Sequence, residues 1–269
     1  MATTTVQAAA CTRPGPTHVA GALARRLPWW SRELGLLVGV YLVYSLGRLV
    51  VGADAGAAMA RGAELVSFER QLSWLSEVRL NEALQNMPVL AVLASYWYTA
   101  LHYTVTPAVL VWLRRRHPGS YVPARTALVA ATLLGLVGFW LYPTAPPRML
   151  AGHGFVDTLA YFSDWGWWST DASAPKGLGG LTNELAAMPS LHVGWAVWVG
   201  WCVTTHARRG IVRVAAIGYP VVTSLVVVAT ANHYWLDVLA GAALVAAAIA
   251  LVGVRQRAKL GGADRQGRR

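Results

Sequence analysis

The sequence predicts an all-α fold, a polytopic membrane bundle of six transmembrane helices with an amphipathic helix on its outer side. Three observations carry that prediction. The 269-residue chain is 55% hydrophobic and only 13% charged, with a mean hydropathy of +0.42, whereas soluble domains average roughly a quarter charged. The apolar residues gather in uninterrupted runs of near-spanning length. The basic residues, finally, cluster in alternate connections between those runs.

The runs fall at 34–52, 88–112, 126–142, 189–206, 211–231 and 234–254. The fifth and sixth nearly merge, parted by Ala231, Asn232 and His233. With the N-terminus in the cytoplasm, 17 of the 23 Lys and Arg residues lie on that side. They include Arg114, Arg115, Arg116 and Arg125 after the second run, Arg208, Arg209 and Arg213 after the fourth, and six bases from Arg255 to Arg269. The opposite side keeps ten of the twelve acids. The positive-inside rule therefore predicts cytoplasmic termini. It also accounts for the net charge of +11 without any nucleic-acid partner. Arginine in excess of lysine and abundant alanine fit a GC-rich bacterial genome, hence a plasma membrane. The thirteen tryptophans suit the membrane–water interface.

The domain organisation follows. Residues 1–33 form a disordered cytoplasmic tail, 34–254 the six-span membrane domain, and 255–269 a basic cytoplasmic tail. The region before the first run carries Pro14, Pro16 and Pro28 and is long for a signal peptide, so a retained anchor is expected. Between the first two runs, Leu65, Phe68, Leu72, Leu75 and Val78 recur at helical spacing. They define an amphipathic helix within 62–86, either lying in the interface plane or packed as a lid on the bundle. A long outer loop, 143–187, is rich in Gly, Pro, Asp and Trp; loops of that length are functional or disordered. Cys11 and Cys202 are not expected to be bridged, and no Cys-x-x-Cys site exists.

The residues with chemistry gather at the outer ends of the runs. Arg148 follows the third run, His192 opens the fourth, His233 lies between the fifth and sixth, and Asp237 is one turn into the sixth. His233 and Asp237, four apart, share one helical face. The carboxylate can hold the proton on one ring nitrogen and leave the other free as nucleophile or base. A second histidine from another helix can serve as the acid. That division of labour suits phosphoryl transfer. His102 and Tyr98 lie mid-span in the second run, where an interhelical hydrogen bond is the expected role and a substrate channel the alternative.

Pro189-Ser190-Leu191-His192 and His233-Tyr234-Trp235-Leu236-Asp237 resemble the second and third signature motifs of the type 2 phosphatidic-acid phosphatase superfamily. Ala145-Pro146-Pro147-Arg148 occupies the place of the first. The branch most similar is that of the inositol phosphorylceramide synthases, which also carry Pro-Ser-Leu-His, a preceding Ala-Pro-Pro and a following His-Tyr-x-x-Asp. The first motif ordinarily reads Lys-x6-Arg-Pro, but here Leu141 stands at the lysine position and Met149 follows Arg148. The third ordinarily begins Ser-Arg, where this chain has Val226-Val227. Loss of those two bases favours a lipid phosphotransferase over a plain phosphatase.

The resemblance implies that His233 attacks phosphorus to form a phosphohistidine, with Asp237 fixing its tautomer. It implies His192 as the acid and then the base, Arg148 as a clamp on phosphate oxygens, and Ser190 with nearby N–H groups as further donors. It implies a lipid phosphate substrate and no cofactor; a metal held by His192, His233 and Asp237 is the less favoured alternative. Dephosphorylation of a polyprenyl phosphate or diphosphate in envelope synthesis is a neighbouring expectation, and a lipid transporter without chemistry is a third. Oligomeric state is not legible.

Overall fold

The computed structural model describes residues 28, 30–36, 38–39, 42, 54–72, 76–170, 176 and 183–266. It comprises two units, Met1–Val50 and Val51–Arg269. In the first, residues 30–36, 38–39 and 42 are helical; the remainder of the expected 34–52 span lies outside the described residues, as does Cys11. The second unit holds all the candidate site residues and is built of helices joined by turns and by the 143–187 loop. Thr144 and Ala186 form an isolated β-bridge.

Among the described residues of the second unit, nine α-helices follow in order: α1 (Ala55–Gln71), α2 (Glu77–Gln85), α3 (Pro88–Tyr96), α4 (His102–Arg116), α5 (Pro118–Leu141), α6 (Thr158–Tyr161), α7 (Leu191–His206), α8 (Gly210–Ala229) and α9 (Trp235–Gln266). Local chemistry sets their starts. Asp54 accepts from the Ala57 amide to cap α1, and Ser76 accepts from Arg79 to cap α2. Pro88 and Pro118 each stand in the first turn of their helices, where a missing N–H costs nothing.

Among the described residues, three helices are long and apolar enough to cross a membrane: Pro118–Leu141, Gly210–Ala229 and, within α9, Trp235–Val254. These are the third, fifth and sixth expected runs. The second run is helical too, but a five-residue π-helix, Trp97–Leu101, divides it into α3 and α4. The fourth run gives α7, only 16 residues; at 1.5 Å per residue that is about 24 Å, short of a hydrocarbon core of about 30 Å.

Small residues let these helices close up, as in membrane bundles generally. A Cβ on Gly194 would stand 3.1 Å from the Gly241 carbonyl oxygen, and one on Gly241 would stand 2.1 Å from the Ser190 oxygen, so α7 and α9 touch backbone to backbone. The main core fills the space among α4, α5, α7 and α9 with Leu113, Tyr121, Ala127, Leu128, Trp198, Cys202 and Val245. Both indoles facing α5 are satisfied: Trp198 Nε1 donates to the Ala124 carbonyl at 2.8 Å and Trp195 Nε1 to Thr132 Oγ1 at 3.0 Å. Cys202 is buried and free.

Two expectations need correction. The 62–86 segment is two helices, and the face that α1 buries is Ala58, Gly62, Val66 and Glu69; of the expected series Leu65 and Val78 are partly buried, and Leu75 lies outside the described residues. Phe68 and Leu72 are exposed. The bundle takes the small-residue face because close backbone approach outweighs the area a leucine buries: a Cβ on Gly62 would meet Tyr234 Oη at 2.7 Å and the Ala145 oxygen at 2.8 Å. In the outer loop, Trp165 and Trp167 are exposed, but Trp168 is completely buried, its Nε1 donating to the Leu159 carbonyl at 2.8 Å. It is a core residue of the loop rather than an interface anchor.

Candidate active site

The site forms where the starts of α7 and α9 meet the loop after α5. Ser190 caps α7, its hydroxyl accepting from the Val193 amide at 3.4 Å, and its own N–H donates to the Asp237 carbonyl at 3.0 Å. That bond ties the two helix starts together and sets His192 and Asp237 side by side. Ser190 is fully buried, so its hydroxyl acts here as a helix cap.

His233 sits in the turn between α8 and α9, outside both spanning helices. The turn is made by Ala231 at φ +58°, a left-handed conformation that a residue with a Cβ adopts at a cost of roughly 1–2 kcal/mol. Backbone bonds hold it. Ala231 N–H donates to Val228 at 2.9 Å, and Arg148 N–H donates to the Ala231 carbonyl at 2.9 Å. The second bond fastens the Arg148 loop to the histidine turn.

The buried His233 ring points Nδ1 at two acceptors, the Ala187 carbonyl at 2.9 Å and Asp237 Oδ2 at 3.3 Å. Facing only acceptors, Nδ1 must carry the proton, which leaves the Nε2 lone pair available. Asp237 is completely buried, and its Oδ2 also accepts from the Tyr234 amide at 3.0 Å. Burial, with the positive charge of Arg148 adding to it against the Ala187 hydrogen bond, pushes the His233 imidazole down to about 3. The ring is therefore neutral at physiological pH.

His192 is only partly buried, and its ring centroid lies 5.7 Å from that of His233, the planes at 60°. Near-attack contacts need about 3–3.5 Å on each side of a reacting centre, so both rings can reach one phosphate. His192 stacks on Tyr98 at 4.3 Å and 19° and meets His102 edge-on at 4.3 Å. His102 thus packs ring to ring against His192. The π-helix turns Tyr98 and His102 inward together, a use to which such bulges are often put.

Arg148 lies almost wholly buried, and its guanidinium is taken: Nε pairs with Asp157 Oδ2 at 3.3 Å and Nη2 with Glu184 Oε2. Both carboxylates come from the 143–187 loop, which Asn81 of α2 pins in place. Its amide donates to the carbonyls of Val156 and Ala229 at 3.1 and 2.9 Å and accepts from the Val156 N–H at 2.8 Å. The structure thus brings together His192, His233, Asp237, Ser190 and Arg148 from four segments of the chain.

A family model described as the PAP2 superfamily matches residues 63–251. The chain belongs to the PAP2 superfamily. Its match spans every residue just described, from α1 to the membrane stretch of α9. PAP2 superfamily members are generally phosphatases acting on lipid phosphates, and that coarse chemistry is this chain's as well. No curated protein and no solved structure matches it significantly.

Sequence reasoning missed Asp157, Glu184 and Glu69 as parts of the site. Only Glu69 left a signal, as the polar member of the Ala58-Gly62-Val66 stripe. Among the described residues no group of three or more His, Cys, Asp or Glu side chains is arranged to hold a metal ion.

Proposed function

We propose that the protein is an integral-membrane phosphotransferase or phosphatase that acts on lipid-linked phosphate esters at the outer leaflet through a phosphohistidine. The carrying observation is the His233 ring, protonated on Nδ1 by its two acceptors and 5.7 Å from a second imidazole. In the first step His233 Nε2 bonds to phosphorus as the P–O bond to the lipid alcohol breaks, and His192 delivers its proton to the departing oxygen. In the second, His192 takes a proton from water or an alcohol, whose oxygen bonds to phosphorus as the P–N bond breaks. Asp237 stabilises the charge gained by His233, much as the carboxylate of a serine-protease triad serves its histidine. Arg148 clamps phosphate oxygens once the phosphate replaces a carboxylate on its fork.

Six spans, cytoplasmic termini and an outward-facing site complete the reading; the arginine distribution supports them. Substrate tails then stay in lipid while the headgroup visits the site. The departures at Leu141, Met149 and Val226-Val227 favour transfer to an alcohol, as in the inositolphosphotransferase-like branch. A polyprenyl phosphate or diphosphate phosphatase is the second reading.

The test is purified protein incubated with labelled lipid phosphates, with and without candidate alcohols, and with orthovanadate as a phosphate mimic. Label should become covalently attached at His233 on rapid quenching, vanadate should inhibit, and His233→Ala should abolish turnover. Full turnover by His233→Ala on a substrate the wild type consumes would remove the assigned nucleophile.

A further inference from the structure

Glu69, in the last turn of α1, is 1% exposed and, among the described residues, pairs with no side-chain cation. Its two oxygens instead accept from the backbone of α9: Oε1 from the Leu236 N–H at 2.7 Å and Oε2 from the Trp235 N–H at 3.3 Å. These are the first helical amides of α9, which a helix ordinarily satisfies with a side chain at its own start. The residues preceding α9 are committed elsewhere. His233 Nδ1 faces Ala187 and Asp237, Tyr234 Oη donates to the Ala145 carbonyl at 2.7 Å, and Asp237 takes the Tyr234 amide. The cap is therefore supplied from far upstream in sequence: Glu69 of α1 takes both amides, and Glu77 of α2 also takes a backbone hydrogen bond from Trp235.

We infer that Glu69 is a positioning residue for phosphoryl transfer, resting on the reading of His233 and Asp237 as the reacting pair. It fixes residues 235 and 236, and Asp237 is the next residue along. Asp237 Oδ2 bridges the Tyr234 amide and His233 Nδ1 at 3.0 and 3.3 Å, so a first turn free to fray carries the carboxylate off the nucleophile. The carboxylate suits the task twice over: it offers two acceptors to two donors, and its negative charge lies at the positive end of the α9 dipole. The small face of α1 delivers it. Ala58 accepts from the Ala145 amide at 3.1 Å, Gly62 admits Tyr234 Oη, and Val66 packs with Leu150, Ala187 and Tyr234.

The test compares Glu69→Gln and Glu69→Ala with wild type and His233→Ala, as full-length protein in nanodiscs. Phosphate release from dioleoyl phosphatidic acid and hydrogen exchange at residues 233–238 are both followed. Glutamine keeps one acceptor and alanine none. Turnover should therefore fall in the order wild type, Gln, Ala, with kcat for Glu69→Ala down roughly ten- to a hundredfold, the scale of loss from displacing a reacting group by an ångström or less. KM should stay within about twofold, because substrate contacts are untouched. Exchange at the Leu236 amide should quicken while that of Pro118–Leu141 stays at the wild-type rate. Wild-type kcat in Glu69→Ala, or a loss matched by the loss of folded protein alone, overturns the inference and leaves the nucleophile assignment standing. A wild type that releases no phosphate from any lipid phosphate sinks the catalytic reading, and the positioning role with it.

Discussion

At the scale of single residues the site sets two imidazoles side by side, with their ring centroids 5.7 Å apart. His233 is enclosed and neutral, its ring pushed down to about 3 chiefly by burial. Protonation at Nε2 would remove the nucleophile, and a depressed value moves that loss to lower pH. The acid limb of kcat/KM should accordingly lie below the ordinary histidine value of about 6.5; a pH–rate profile on a lipid phosphate checks it, and a limb at or above that value contradicts the assignment. Arg148 carries a second expectation. Its guanidinium rests against Asp157 and Glu184, which compete with any incoming phosphate. Glu184→Gln should lower KM and leave kcat close to wild type, whereas Arg148→Ala should cost on the order of 10² to 10³ in rate. Both are read from steady-state phosphate release. Motif spacing made the histidines, Asp237 and Arg148 legible. The carboxylates on Arg148 were not, since nothing in a loop's composition fixes which acid reaches back across 36 residues.

Among the helices, the decisive contact is between the starts of α7 and α9. The Cβ of an alanine at 241 would lie 2.1 Å from the Ser190 carbonyl oxygen, and backbone cannot yield as a side chain tip can. Gly241→Ala should therefore lower stability by about 1–3 kcal/mol and reduce turnover with it, because the Ser190–Asp237 tie breaks. Gly253→Ala, with open space around its Cβ, serves as the silent companion in a thermal-unfolding assay. Apolar runs placed the helices well: the expected 211–231 and 126–142 are Gly210–Ala229 and Pro118–Leu141. Hydropathy could not foresee the π-helix at Trp97–Leu101, which adds a residue to a turn without altering composition. Nor could it choose between the leucine and small-residue faces of α1, a choice made by what α1 packs against.

For the whole molecule the arginine distribution makes the orientation testable. A cysteine at position 176 should react with membrane-impermeant reagents in intact cells, and one at position 209 only after lysis. The reverse pattern would invert the chain. The exposed belts of α5 and α8, with Leu134, Val137, Leu141, Ile211, Val214 and Ile217 uncovered, are what lipid tails would cover. The last helix has a practical corollary. At 32 residues it is about 48 Å long, and the candidate site lies at its start, with Asp237 in its first turn and His233 just before it. Its far end therefore stands well clear of them, so a fluorescent protein or an affinity handle fused there leaves the chemistry unobstructed and offers a fixed point for surface immobilisation.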